Sequence, residues 1–142
     1  MGKNNLQERK ETTREVEYSL KPPFPKEILI DISSLCNHAC SFCSNTQMAD
    51  KQHASSDMVY RILKEAREEG SHAVGLYATG EPFLNKDLEK FIKYAKDIKY
   101  SYVFVTTNGA AATIKRVKTA IDNGLDSIKF SIHGGSRETY KK

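Results

Sequence analysis

The sequence has no tryptophan, and its three cysteines all fall within one stretch of eight residues. No apolar run approaches the roughly 20 residues that a membrane-spanning helix needs, and the N-terminus carries no hydrophobic core of a secretion signal. Met1-Gly2 opens like a myristoylation signal, but Leu6 stands where that signal calls for Ser or Thr. Charge of one sign is also scarce. The net charge of +4 arises wholly within residues 110–142, where seven basic residues face three acidic ones, while residues 1–109 are balanced. A nucleic-acid interface needs Lys and Arg clustered over one face, whereas Lys115, Arg116 and Lys118 fit the solvated side of a helix. An odd number of cysteines without a signal peptide also disfavours a disulfide framework. These absences predict a cytoplasmic chain with no membrane and no nucleic-acid partner, and its 142 residues suffice for one domain with a real core.

What is present is concentrated at Cys36-Asn37-His38-Ala39-Cys40-Ser41-Phe42-Cys43, a C-x3-C-x2-C spacing. Thiolate sulfur is the soft ligand of iron–sulfur clusters, which are normally held by four cysteines. With three, a four-iron cluster on Cys36, Cys40 and Cys43 keeps one iron without a protein ligand, open to chemistry. Other readings of the stretch exist. Buried cysteines can act as small hydrophobes, and zinc could take the three thiolates with His38 or His53, although zinc motifs usually pair their cysteines as C-x2-C twice over.

The flanking chain alternates strands and helices. Residues 1 to about 20 are polar and lack apolar periodicity, predicting a mobile arm or peripheral helix, and Lys21-Pro22-Pro23-Phe24-Pro25 forces an extended entry. Residues 1–26 are therefore set apart from a folded unit over 27–142. Ile28, Ile30 and Ile32 alternate with Leu29, Asp31 and Ser33 as a first strand that ends at the cysteines. Val59, Ile62, Leu63 and Ala66 mark one face of a helix closed by Gly70. Ala73 to Thr79 reads as a strand buried on both sides, stopping at Gly80-Glu81-Pro82. Leu88, Phe91, Ile92 and Ala95 form the inner face of a second helix starting near Asn85. Tyr100 to Thr107 is a third strand closed by Asn108-Gly109. A third helix follows with Ile114, Val117 and Ile121 inside and Gly124 as its stop. In a fourth strand, Ile128, Phe130 and Ile132 alternate with Ser127, Lys129, Ser131 and His133, and Arg137 to Lys142 begins another helix.

Repeated strand–helix–strand units predict right-handed crossovers and a parallel sheet. Function then collects beyond the carboxyl ends of the strands, which carry the cysteines, Gly80-Glu81-Pro82, Thr107-Asn108-Gly109, and Ser131 to Gly134. If the isoleucines and Phe130 face the helices, then Ser127, Lys129, Ser131 and His133 of the fourth strand, and Asp31 and Ser33 of the first, face a solvated interior. Alternatively they line an edge or pair with one another.

From about Glu27 onward the sequence resembles the radical SAM superfamily. Its C-x3-C-x2-C motif, the aromatic Phe42 before the last cysteine, and Ala78-Thr79-Gly80-Glu81-Pro82, similar to the family's GGEP with Thr79 for the first glycine, occur in the expected order. TGEPFLNKDLEKFIKYAK, TTNG and GLDSIKFSI look most like the branch that often carries a C-terminal SPASM domain. The resemblance implies an α/β fold: parallel (βα) repeats forming the first four strands of a partial (β/α)6 TIM-like barrel. It also implies a radical enzyme in which a 4Fe-4S cluster on Cys36, Cys40 and Cys43 reductively cleaves S-adenosylmethionine to a 5′-deoxyadenosyl radical that abstracts hydrogen from a substrate. An electron donor such as flavodoxin or ferredoxin follows from the same resemblance. Gly80 and Glu81, or nearby carbonyls, would receive the methionine amino group, and Pro82 would stiffen the turn. Phe42 would lie by the adenine and Ser131 by the ribose or carboxylate. Asn108 is either a rim contact or an ordinary Asn-Gly turn, His133 stands where related sequences often have an acidic or amide residue and fits a role in turn geometry, and Arg137 stands where the family often has a carboxylate-holding basic residue.

The family's core has six βα units and this chain supplies four strands, so the expectation is an N-terminal fragment or truncated product with an exposed strand edge prone to association. The alternative function is a non-catalytic module holding zinc or an iron–sulfur cluster, or a truncated interaction module. Residues that choose the substrate are not legible.

Overall fold

The computed structural model describes residues 22–140, so the arm expected over residues 1–20 lies outside them. Four strands, β1 (Glu27–Leu29), β2 (Ala73–Gly75), β3 (Tyr102–Thr107) and β4 (Ser127–Phe130), are joined through α1 (Ser56–Glu68), α2 (Leu88–Asp97) and α3 (Ile114–Asp122). A short α4 (Arg137–Tyr140) follows β4, and single 3-10 turns occupy Ser44–Gln47 and Pro82–Leu84. The strands form one sheet in the order β1-β2-β3-β4, and every pairing is parallel. This is the parallel α/β architecture that the alternating pattern implies.

The helices and sheet share one core. Ile30, Ile32, Val74, Leu76, Val103 and Val105 meet Val59, Leu63, Phe91, Ile92 and Ala95, with Ile128 packed against the edge of the cluster. Ser55 caps α1 by accepting the Met58 N–H at 3.4 Å, and Gly70 leaves it at φ +107°, a left-handed value that favours glycine. Along α2 the fully buried side chains are Leu88, Phe91, Ile92 and Ala95. The expected face is the observed one, but the helix starts at Leu88 because residues 82–84 form their own 3-10 turn.

The third helix departs from expectation. Ile114 is 89% and Ile121 56% exposed, whereas Ala120 is fully buried. Arg116, expected on the solvated side, instead turns inward. Its guanidinium grips Glu89 of α2 with two bonds of 2.7 Å, and donates to the carbonyls of Phe83 and of Asn85, the latter at 2.8 Å. That ionic clamp fixes the rotation of α3, and the two isoleucines are carried outward with it.

On the sheet's other face, β3–β4 register pairs Phe104 with Ser127 and Thr106 with Lys129, so both polar residues of β4 lie opposite the helices, as the alternation requires. Lower on this face the surface is aromatic rather than polar. Tyr77 and Tyr102 flank the Phe104 ring at 5.8 and 5.2 Å. A Cβ on Gly75 would stand 2.4 Å from Leu29 Cδ2 and 2.9 Å from Phe104 Cζ, so any larger residue there requires these side chains to shift.

Candidate cofactor site at the sheet rim

Beyond the carboxyl end of β1 the chain passes through Asp31 and Ser33 into the cysteine loop. Residues 52–54 strap back across its entrance. Ser33 and His53 form an antiparallel bridge, Ala54 N–H donates to Ile32 O at 3.1 Å, and Ser34 N–H donates to Gln52 O at 3.0 Å. Asn45, only 2% exposed, donates its amide to Ser34 O at 2.7 Å. Its Oδ1 is the one buried side-chain polar atom among the described residues with no partner. Within the loop a tight turn brings Cys43 N–H to Cys40 O at 3.0 Å. All three cysteines are free thiols and half-buried.

The end of β2 docks directly on this loop. A Cβ on Gly80 would lie 1.8 Å from Ser33 O and 2.7 Å from Leu35 O, so the close approach itself demands glycine. Glu81 N–H then donates to Leu35 O at 2.8 Å, one residue before Cys36. Thr79, in place of the family's first glycine, donates its hydroxyl to Asp31 and its N–H to the same carboxylate oxygen at 3.2 Å. The inward-facing Asp31 thus fastens the turn after β2 to the end of β1.

Glu81 is 2% exposed, and its carboxylate points into the protein. Oε1 accepts the Phe83 N–H at 3.0 Å and the Thr107 hydroxyl at 2.6 Å, and Oε2 accepts the Asn108 N–H at 2.8 Å. The first bond closes the turn on itself, and the other two tie it to the end of β3. Pro82 is buried and opens the 3-10 turn, where its missing N–H costs nothing.

Asn108 serves both as turn and as rim contact. Its Oδ1 accepts the Ala110 N–H at 2.9 Å, while its amide nitrogen lies 2.8 Å from Asn37 Oδ1 and 3.7 Å from Cys36 Sγ. At the far edge, the Phe42 ring meets His133 edge-on, with centroids 4.9 Å apart and planes at 73°. Ser131 continues the β3–β4 ladder through its N–H to Thr107 O at 2.8 Å. Arg137 lies exposed at the start of α4.

The site residues anticipated from sequence therefore converge on one rim. Those missed are Asp31 as the partner of Thr79, Thr107 as the partner of Glu81, and Asn37 and Asn45 within the loop. The signal for Thr107 lay in its place before Asn-Gly at a strand end; nothing local marked the others.

Residues 30–142 match the family described as the radical SAM superfamily. The chain belongs to that superfamily. Among curated radical SAM relatives, a probable GTP 3′,8-cyclase of Saccharolobus islandicus (strain M.14.25 / Kamchatka #1) is 33% identical over 118 residues, covering 82% of this chain and 38% of the relative. The probable GTP 3′,8-cyclase of Saccharolobus solfataricus matches with the same figures. Of solved structures, BtrN in complex with AdoMet and 2-DOIA has a TM-score of 0.66 at 24% identity, over 82% of this chain and 51% of BtrN. Streptococcus suis SuiB bound to precursor peptide SuiA has a TM-score of 0.57 at 22% identity, over 81% of this chain and 25% of SuiB. The chain spans well under half the length of the curated relatives it matches. The two structural likenesses establish the radical SAM fold.

Radical SAM proteins in general use a four-iron cluster and S-adenosylmethionine, and the donor set here fits such a cluster. Three half-buried thiols share one loop, and Cys36 Sγ accepts the backbone N–H of His38 at 3.4 Å besides the Asn108 amide. Such donors stabilise negative charge on a metal-bound thiolate. Among the described residues no three Cys, His, Asp or Glu side chains converge as a single ion requires. A cluster makes a different demand, one thiolate to each of three irons. The His53 ring, for its part, is engaged by Ser33 Oγ at 3.0 Å. No helix among the described residues is long and apolar enough to cross a membrane.

Proposed function

We propose that this chain carries the cofactor-cleaving part of a radical enzyme, with Cys36, Cys40 and Cys43 each binding one iron of a 4Fe-4S cluster and the fourth iron left for S-adenosylmethionine. When bound, that pair of cofactors supplies a 5′-deoxyadenosyl radical by one-electron reduction of the carbon–sulfur bond, and the protein contributes position and electrostatics. Gly80 lets the backbone of the turn after β2 approach the loop, and the carbonyls of that turn receive the methionine amino group. The Glu81 carboxylate holds the turn against β3 from within. Pro82 stiffens the turn's exit, Phe42 and His133 bound the nucleoside side, and Ser131 and Asn108 border the opening. A one-electron protein donor of the flavodoxin or ferredoxin class supplies the reducing equivalent, and a substrate C–H bond supplies the hydrogen atom.

The observation that carries this reading is the convergence of three strand ends on the cysteine loop. Glu81 N–H reaches Leu35 O and the Asn108 amide reaches Asn37 and Cys36, so the residues of the superfamily motifs are physically joined. The relatives and neighbours differ in what they act on or bind: GTP for the probable cyclases, 2-DOIA for BtrN and the precursor peptide SuiA for SuiB. Substrate choice thus belongs to residues other than those shared by the fold.

The test is anaerobic reconstitution with iron and sulfide, followed by reduction and EPR with and without S-adenosylmethionine. The expected result is a four-iron spectrum that changes when S-adenosylmethionine is added, and whose intensity collapses in C36A, C40A and C43A. An unchanged spectrum in a well-loaded, reduced chain refutes S-adenosylmethionine binding at the cluster.

A further inference from the structure

We propose that Asn108 sets the reduction potential of this site: its side-chain amide donates a hydrogen bond to Cys36 Sγ and raises the potential of the cluster that this thiolate holds. The inference rests on the cluster reading above and adds to it a residue from a different strand, outside the cysteine motif.

The direction of the amide is fixed by its surroundings. An asparagine side chain can be flipped without changing its shape, so oxygen and nitrogen must be told apart by their partners. Here the Ala110 N–H lies 2.9 Å from Oδ1 and can be satisfied only by an acceptor. The NH2 group therefore faces the cysteine loop. It has two hydrogens and two acceptors, Asn37 Oδ1 at 2.8 Å and Cys36 Sγ at 3.7 Å. The backbone beneath is held as well, since Asn108 N–H is fixed at 2.8 Å by the buried Glu81 carboxylate. Glu81 thus acts as a positioning residue for the donor.

The effect on potential follows from charge. Reduction adds one electron to a cluster whose thiolates already bear negative charge. A donor on a thiolate stabilises the reduced state more than the oxidised one, and hydrogen bonds to sulfur are among the factors that set cluster potentials. The backbone donor from His38 to the same sulfur, at 3.4 Å, stays in place when Asn108 is changed.

The experiment is an EPR-monitored redox titration of the reconstituted chain, comparing the wild type with N108D, N108A and N37A. N108D keeps the shape and the acceptor for Ala110 but replaces the amide donor with a second acceptor beside Cys36 Sγ. The reduction equilibrium is expected to weaken about tenfold in N108A, which is about 59 mV for one electron, and further in N108D. N37A, which leaves the N–H···S bond intact, should titrate with the wild type. Potentials are read on the loaded fraction, so a variant that takes up less cluster still reports. A purely structural Asn108 would alter loading without ordering the potentials as wild type, Ala, Asp. Loaded N108D with the wild-type potential overturns this inference and leaves the cluster reading standing. A wild-type chain that assembles no iron–sulfur cluster overturns both.

Discussion

Replacing Arg116 by methionine tests the clamp that orients α3. Arg116 and Glu89 keep only 26% and 13% of their side-chain surfaces exposed, and meet through two bonds of 2.7 Å. The same guanidinium satisfies the carbonyls of Phe83 and Asn85 and stands 5.5 Å from the centre of the Phe83 ring. Methionine keeps much of the apolar stem but leaves a mostly buried carboxylate and two carbonyls without this partner. Breaking a buried ion pair on one side costs about 3–5 kcal/mol. Residual exposure lets water reach Glu89 and argues for the low end, about 3 kcal/mol. With a urea slope of about 2 kcal/mol per molar for a domain of this size, the unfolding midpoint should fall by about 1.5 M. K115M, on the exposed side of the same helix, should stay within about 0.5 kcal/mol of wild type. A double-mutant cycle with E89Q should return a coupling above about 1 kcal/mol. An R116M loss below about 1 kcal/mol, with no coupling to Glu89, would refute the clamp and leave the orientation of α3 without a cause.

Two further outcomes follow from the same packing. Tyr100 is 2% exposed and donates to Leu63 O at 3.0 Å, and burial pushes its hydroxyl up to about 12 against a weaker opposing pull from Arg67. A raised folded value means the stabilisation is whole below pH 10 and is lost as pH climbs towards 12, by about 2 kcal/mol for a shift of this size. Y100F should cost about 1 kcal/mol at neutral pH and flatten the stability curve from pH 10 to 12; a curve as steep as the wild type's sinks the assignment. In G80A the new Cβ collides with the backbone of Ser33 and Leu35. It should lower thermal stability by about 3 kcal/mol or more, roughly 10 °C at this size, and reduce iron incorporation by displacing the loop. Unchanged melting would mean that the turn and loop are not in contact.

The faces of α1 and α2 were legible because their apolar residues recur at helical spacing and nothing stronger opposes them. The same rule held only in part on α3, where Val117 packs against the core while Ile114 and Ile121 stay exposed. Ile114, Val117 and Ile121 trace an apolar stripe, yet an ion pair with Glu89, 27 residues away in sequence, outweighs it, and no local pattern reports a partner at that distance. Strand alternation placed Ser127 and Lys129 opposite the helices correctly, but the aromatic packing of Tyr77, Tyr102 and Phe104 around Gly75 depends on register between strands. The three cysteines could be recognised because spacing along one loop is a property of the sequence itself. The inward turn of Glu81 could not, because its donors come from a second strand. Asn108 was ambiguous for a related reason: one side chain makes both the local turn and the distant contact.

The buried carboxylate of Glu81 has a consequence for the entropy of assembly. A metal loop that is loose before its metal arrives must lose backbone freedom as it binds, at about 1–2 kcal/mol for each residue immobilised. Here two positions of the loop are held by hydrogen bonds from elsewhere in the protein, Leu35 by the Glu81 N–H and Asn37 by an asparagine that Glu81 itself holds. Ordering at those two positions comes with strand pairing, so a metal bound in the loop would have that much less disorder to remove.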